Sequence, residues 1–265
     1  VGGFWIDYAN YTGSGLNTII GLDYTVTPVS QLANHPYVIE GVLRNSGAND
    51  QTSTLKYEVY GAAGSYSGTS NSTIVAAYSA TNVIDSMVVA ANPPLSPVIG
   101  AYEVSIWAES DSLGLITTTS DTLLRGIEIS DYIYAKDNGT NINGSSDDNW
   151  IVGGPGDQWH FTTRFEMYAD ESLYALRAYI SDESVVGAEI KAVVYELDTT
   201  ISNADGGVIL LNESDNYAIT AQDLGAWVDI VFADPVDLYS GYAYEVGVAG
   251  FVHPTDSAFI GTSGQ

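Results

Sequence analysis

The chain is written in short runs that alternate β-branched or aromatic residues with polar ones, and Gly, Pro, Asn, Asp or Ser closes each run. The period of two is clean in Arg177-Ala178-Tyr179-Ile180 and in Val228-Asp229-Ile230-Val231-Phe232. Such alternation buries one face of a sheet and leaves the other in water. No helical period persists long enough for an amphipathic helix, so the chain is confined to an all-β fold. Strands are expected at 4–8, 37–43, 55–60, 83–89, 102–107 and 123–129, the last leading into Tyr132-Ile133-Tyr134. A polar, glycine-rich stretch then runs from Lys136 to Asp157. Strands resume at 159–169, 174–181, 188–197, 208–211, 226–233 and 242–249. Thr220 to Gly225 reads as one helical turn, with Thr220 as cap and Gly225 as stop. Strand spacings of about 8–15 residues in each half predict two β-sandwiches in tandem. The division is placed at residues 1–130 and 131–265.

Charge narrows the partners. With 33 Asp+Glu against 7 Lys+Arg the net charge is −26, although only 15% of the 265 residues are charged. The acidity comes from missing cations. A surface of this sign repels phosphates, which argues against nucleic acid, and it opposes anionic lipid. No apolar stretch approaches the length of a membrane span, so no membrane insertion is expected. Cysteine is absent, which removes disulfides, thiolate nucleophiles and cysteine-bound metals. A cysteine-free, lysine-poor surface suits a secreted or cell-surface location. The start at Val1 fits a mature or excised segment of a longer polypeptide.

Catalytic patterns are missing. Gly64-Ser65-Tyr66-Ser67-Gly68 puts tyrosine where a nucleophile elbow needs serine. His35 and His253 each precede proline, which favours extended or turn backbone. With His160 they read as structural rather than as general bases. Gly153-Gly154-Pro155-Gly156 reads as a turn cluster rather than a phosphate cradle. The chain is therefore expected not to be an enzyme, and no cofactor is required.

Three sets of residues are candidates for binding or modification. Calcium is the candidate ion, because hard cations take clustered carboxylates and carbonyls on turn-rich loops, and Asp137, Asp147 and Asp148 lie in such a stretch. The same residues are also ordinary turn formers. Trp150 and Trp159 flank the glycine-rich loop and offer ring faces to a ligand such as a sugar, whereas Trp107 and Trp227 sit in apolar runs that read as core. Asp followed by Ser or Thr and a small or aliphatic residue recurs, with hydroxyls at Ser86, Ser112, Thr122, Thr199 and Ser257.

Gly41 to Gly47, Gly100-Ala101-Tyr102-Glu103-Val104 and Ser110-Asp111 together resemble adhesion-type immunoglobulin-like modules of the CARDB kind. Those modules place an N-x-G turn after an early strand, here Asn45-Ser46-Gly47. The second half resembles a companion module of secreted Bacteroidota proteins, through Tyr134 to Gly139, Gly187 to Glu196, Gly225-Ala226-Trp227-Val228 and Ser240 to Val246. The resemblance implies an immunoglobulin-like sandwich followed by a jelly-roll-like sandwich, export by the type IX system, and O-glycans on the Asp-Ser/Thr motifs. It also implies a non-catalytic module for adhesion or extracellular assembly, whose partner is an extracellular protein or polysaccharide. The alternatives are a carbohydrate-binding accessory module of a polysaccharide-degrading enzyme, or a self-assembling subunit of a filament or surface layer.

Overall fold

The computed structural model describes residues 4–10, 24–34, 38–86, 98–111, 119, 122–137, 149–198 and 207–261. Among the described residues the regular secondary structure is nearly all strand, as the alternating pattern requires. The chain divides into two compact units, Val1–Asn138 and Gly139–Gly264.

The first unit contains β1 (Phe4–Asn10), β2 (Val26–Pro28), α1 (Val29–Asn34), β3 (Val38–Asn45), β4 (Gln51–Gly61), β5 (Gly64–Thr69), β6 (Thr73–Val75), β7 (Ser79–Ser86), β8 (Gly100–Ser110) and β9 (Leu123–Ser130). One sheet has the order β1-β3-β7 and the other β2-β9-β8-β4-β5, with β6 beside β4. All pairings are antiparallel except β2 with β9. This distribution of strands between two sheets is that of an immunoglobulin-like sandwich. Alternation decides which side chains meet inside. Ile39 and Leu43 of β3 pack in one core with Leu55, Val59, Val104, Ile106, Ile127 and Ile129 of the facing sheet.

Three local features go beyond or against the sequence reading. Gly64 to Gly68 lies in strand β5, each of its residues pairing in turn with β4. The six-residue helix α1 follows Pro28 and escaped the sequence reading, being too short to show a helical period. Tyr132 to Tyr134 form no strand, since the Ser130 hydroxyl accepts the Ile133 N–H (2.9 Å) and donates to the Ile133 carbonyl (2.6 Å), which closes a turn. Ala135 then bridges to Val26, and the Tyr24 and Tyr134 rings stack at 4.4 Å, so this segment belongs to the first unit.

The N-x-G turn anchors one end of that unit. Asn45 is fully buried, and its Oδ1 accepts the Gly47 N–H at 2.8 Å. Its Nδ2 donates to the carbonyls of Asn49 (2.8 Å), Val75 (3.1 Å) and Ala76 (3.3 Å). One amide thus ties the end of β3 to the connections on either side of β4 and β6.

The second unit contains β10 (Asn149–Gly154), β11 (Asp157–Gln158), β12 (His160–Glu166), β13 (Glu171–Ile180), β14 (Glu189–Asp198), β15 (Gly207–Glu213), β16 (Tyr217–Ala218), β17 (Ala226–Leu238), β18 (Ala243–Gly250) and β19 (Ala258–Gly261). Its sheets run β11-β10-β19-β13-β17 and β12-β18-β14-β15, with β16 beside β14. Leaving aside the short β11 and β16, first pairs with last (β10 with β19), second with seventh (β12 with β18), third with sixth (β13 with β17) and fourth with fifth (β14 with β15). This nested pairing is a long antiparallel hairpin rolled into two sheets, the jelly-roll arrangement. Val152, Ile180, Ile190, Val194, Ile230, Tyr244, Val248 and Ile260 are among the residues buried between them.

One side of this sandwich is sewn by backbone. Gly154 N–H donates to the Phe251 carbonyl and Gly250 N–H to the Trp159 carbonyl, both at 3.1 Å. Trp159 N–H donates to Val152 at 2.9 Å. The approach is close enough that a Cβ on Gly250 would stand 2.2 Å from the Val152 oxygen. Glycine is what lets the two backbones meet there. Of Gly153-Gly154-Pro155-Gly156, read as a turn cluster, Gly153 and Gly154 end β10, and Pro155 and Gly156 make the turn to β11 beside this seam.

Candidate functional site

Trp150 lies on β10 and Trp159 just before β12, so the seam sets both indoles at one margin of the second unit. They are 53% and 55% exposed. The Trp150 ring stacks on Phe161 of β12, with centroids 5.6 Å apart and planes 28° apart. Tryptophan usually hides most of its surface. Leaving roughly 100 Å² of each ring wet forgoes about 2–3 kcal/mol of burial per residue. A ligand that covers the rings recovers it.

From the seam the outer face of the β12-β18-β14-β15 sheet leads inward over the central strand. Register places His160, Ala249 and Lys191 in one row, Thr162, Gly247 and Val193 in the next, and Arg164, Glu245 and Tyr195 in the third. Ala249 and Val193 are fully buried although they face outward, because longer side chains lie over them. The Tyr195 hydroxyl reaches diagonally past Gly247 to His160 Nδ1, forming a strap across the middle of the sheet. On one side Thr162 Oγ1 donates to Glu245 Oε2 at 2.9 Å, and on the other Lys191 Nζ pairs with Glu213. Lys191 also sits 5.6 Å over the Phe251 ring.

The electrostatics fit a neutral strap. Burial, then the Lys191 charge, lowers the His160 pKa against the opposing pull of Glu213. Burial, then Glu213, raises the Tyr195 phenol. Both shifts favour the uncharged forms, a neutral imidazole and a neutral phenol sharing one hydrogen bond. His253 is occupied separately, its Nδ1 accepting the Asp256 N–H at 2.9 Å.

The sequence reading found Trp150 and Trp159 but missed the strap. His160 and Tyr195 are 35 positions apart, and only the order β12-β18-β14 brings them together. An isolated glycine within a strand, Gly247, was the available signal of a close approach.

The other candidates do not gather into a site among the described residues. Asp137 ends the described part of the first unit, half-buried, and its backbone carbonyl accepts the Thr25 hydroxyl. Asp147 and Asp148 lie outside the described residues. Among the described residues no three His, Asp or Glu side chains form a group able to hold a metal ion. Of the hydroxyls, Thr122 is exposed, Ser257 is half-buried beside the seam and Ser86 closes β7. Ser112, Thr199 and His35 lie outside the described residues. Trp227, expected in the core, is corrected: it stands 38% exposed, because the alternation of β17 turns Val228, Ile230 and Phe232 inward instead.

No protein-family model matches the chain, and no curated protein matches it in sequence. Among solved structures, it is similar to the Pseudomonas fluorescens alkylpurine DNA glycosylase AlkC bound to DNA, at 10% identity and TM-score 0.32, over 48% of this chain and 30% of that one. It is also similar to CBD12 from CALX1.2, at 9% identity and TM-score 0.22, over 92% and 79%. The third is the tandem CBM22-1-CBM22-2 domain of Paenibacillus barcinonensis Xyn10C, at 8% identity and TM-score 0.24, over 98% and 92%. Likeness at this level identifies neither ligand nor activity.

Proposed function

We propose that the chain is a non-catalytic, extracellular or cell-surface adhesion module whose second unit holds polysaccharide against Trp150 and Trp159. The observation that carries this reading is the pair of indoles left more than half exposed at one seam. Pyranose rings present C–H faces that pack on aromatic rings, and the neighbouring Thr162, Glu245, Lys191 and Glu213 offer partners for their hydroxyls. Neutral polymers suit a chain of net charge −26. Export by the type IX route and O-linked glycans on some of Ser86, Ser112, Thr122, Thr199 and Ser257 belong to the same proposal. In titrations with soluble polysaccharides, Trp150→Ala and Trp159→Ala are each expected to weaken binding at least about tenfold, the weight of roughly 1.4 kcal/mol. Unchanged affinity in both variants sinks the reading.

Self-assembly is a second reading, favoured by β15. It lies at the edge of its sheet, and Val208, Ile209, Leu210 and Leu211 are all exposed in succession. Unpaired edges with apolar side chains recruit further strands. Sedimentation velocity is expected to show concentration-dependent growth that Leu210→Lys abolishes; a wild type that stays monomeric at high concentration excludes it.

A further inference from the structure

Resting on the polysaccharide reading, we infer that the second unit carries a second saccharide surface on the outer face of the β13–β17 ladder, so that one molecule holds two polysaccharide chains. On this ladder Arg177 lies opposite Asp229 and Tyr179 opposite Trp227. These residues face solvent because Ala178, Ile180, Val228 and Ile230, one position along, fill the core. Trp227 meets Tyr179 edge to face, with centroids 5.7 Å apart and planes at 73°. That contact fixes both rings while leaving indole surface in water. Val231, 63% exposed on the same strand, extends the apolar strip.

The charged pair beside the rings has an unusual value for recognition. Arg177 Nε and Nη2 donate to the two carboxylate oxygens of Asp229 at 2.6 and 2.8 Å. The guanidinium hydrogen bonds hold the Asp229 carboxyl below its usual range, so the pair stays ionised in neutral and mildly acidic solution. A guanidinium has five N–H groups and the fork uses two. The remaining donors and the free carboxylate lone pairs lie in the common plane of the fork, held at fixed spacing. Vicinal hydroxyls of a pyranose donate and accept together, and this couple answers both needs next to an aromatic face. An exposed cross-strand ion pair contributes little to folding, so stability does not account for it. The pair is neutral in sum, and the acidic chain around it disfavours uronates and sulfated polymers.

The two surfaces are separate. Strands β10 and β17 are three strand spacings apart in one sheet, about 14 Å. Trp150 turns to Phe161 at the seam, whereas Trp227 stands on the outer face. A single glycan chain on one surface leaves the other open, and the unit becomes a cross-linker.

The test is calorimetric titration of the full chain with hexasaccharides of β-1,4-glucan, β-1,3-glucan, β-1,4-xylan and α-1,6-mannan. The wild type is expected to bind two molecules of at least one of these. Trp227→Ala and Arg177→Ala are each expected to reduce this to one, and the double variant Trp150→Ala/Trp159→Ala to remove the other. Arg177→Ala alters only an exposed pair, and near-UV circular dichroism checks the fold of each variant. One site that survives Trp227→Ala and Arg177→Ala overturns this inference and leaves the seam reading standing. One site lost in those variants, but kept in the double variant, supports this surface and removes the seam one. No binding to any of the four sugars overturns both.

Discussion

Replacing Asn45 by alanine is expected to destabilise the first unit by about 3 kcal/mol, and replacing it by aspartate by more. Alanine leaves the Gly47 N–H and the carbonyls of Asn49 and Val75 without their amide partner in a fully buried position. Each buried group left unsatisfied costs roughly 1–3 kcal/mol, and relaxation with entering water recovers part of the total. Aspartate keeps the acceptor for Gly47 but turns a carboxylate oxygen on the carbonyls of Asn49, Val75 and Ala76. Acceptor then faces acceptor in a dry site, and the charge must be neutralised or expelled. Urea unfolding checks the order of the three proteins. An aspartate variant as stable as the wild type would show that the donor side of the amide is irrelevant.

The second large effect concerns Gly247. A Cβ there would stand 2.0 Å from the Phe161 carbonyl oxygen and 2.5 Å from the Thr162 Cα. Both obstacles are backbone in the paired strand β12, so neither can swing aside. Gly247→Ala is expected to cost about 3 kcal/mol or more by prising β12 from β18. Because β12 carries His160 and Phe161, the same substitution should release the Tyr195 strap and unseat the Trp150 ring from its stack. Tryptophan fluorescence and saccharide binding are therefore expected to change together with the melting temperature. A variant that melts like the wild type would mean that β12 and β18 are free to separate at no cost.

The strand pattern was legible wherever one face is buried, because period two is both the cause of the fold and its trace in the sequence. Val228, Ile230 and Phe232 were read as one face, and they are. The same pattern should have placed Trp227 outside. Its place in an apolar run made it read as core instead. Short elements left less trace: α1 has too few turns to show a period, and β5 is rich in Gly and Ser. Asn45-Ser46-Gly47 was recognised as a turn, but its reach to Val75 depends on the sheet order, which no local pattern encodes. The strap and the β13–β17 pairs were hidden for the same reason. Each joins residues whose proximity is created by topology, and the residues themselves are common ones.

The nested pairing has a mechanical consequence. The first and last strands of the second unit lie side by side and antiparallel, with Asn149 opposite Gly261. Tension entering at residue 149 and leaving at residue 261 therefore acts at the same end of one ladder. It pulls along the hydrogen bonds, which run perpendicular to antiparallel strands, and loads them one after another instead of sharing the force among them. Such a joint peels rather than shears. Under load, β10 and β19 separate first at low force and lengthen the molecule, and the ladder β13–β17 with the sheet β12-β18-β14-β15 is next in line. Because β10 carries Trp150, the same peeling draws that indole away from Phe161, and load at the strand ends is coupled to the proposed saccharide seam.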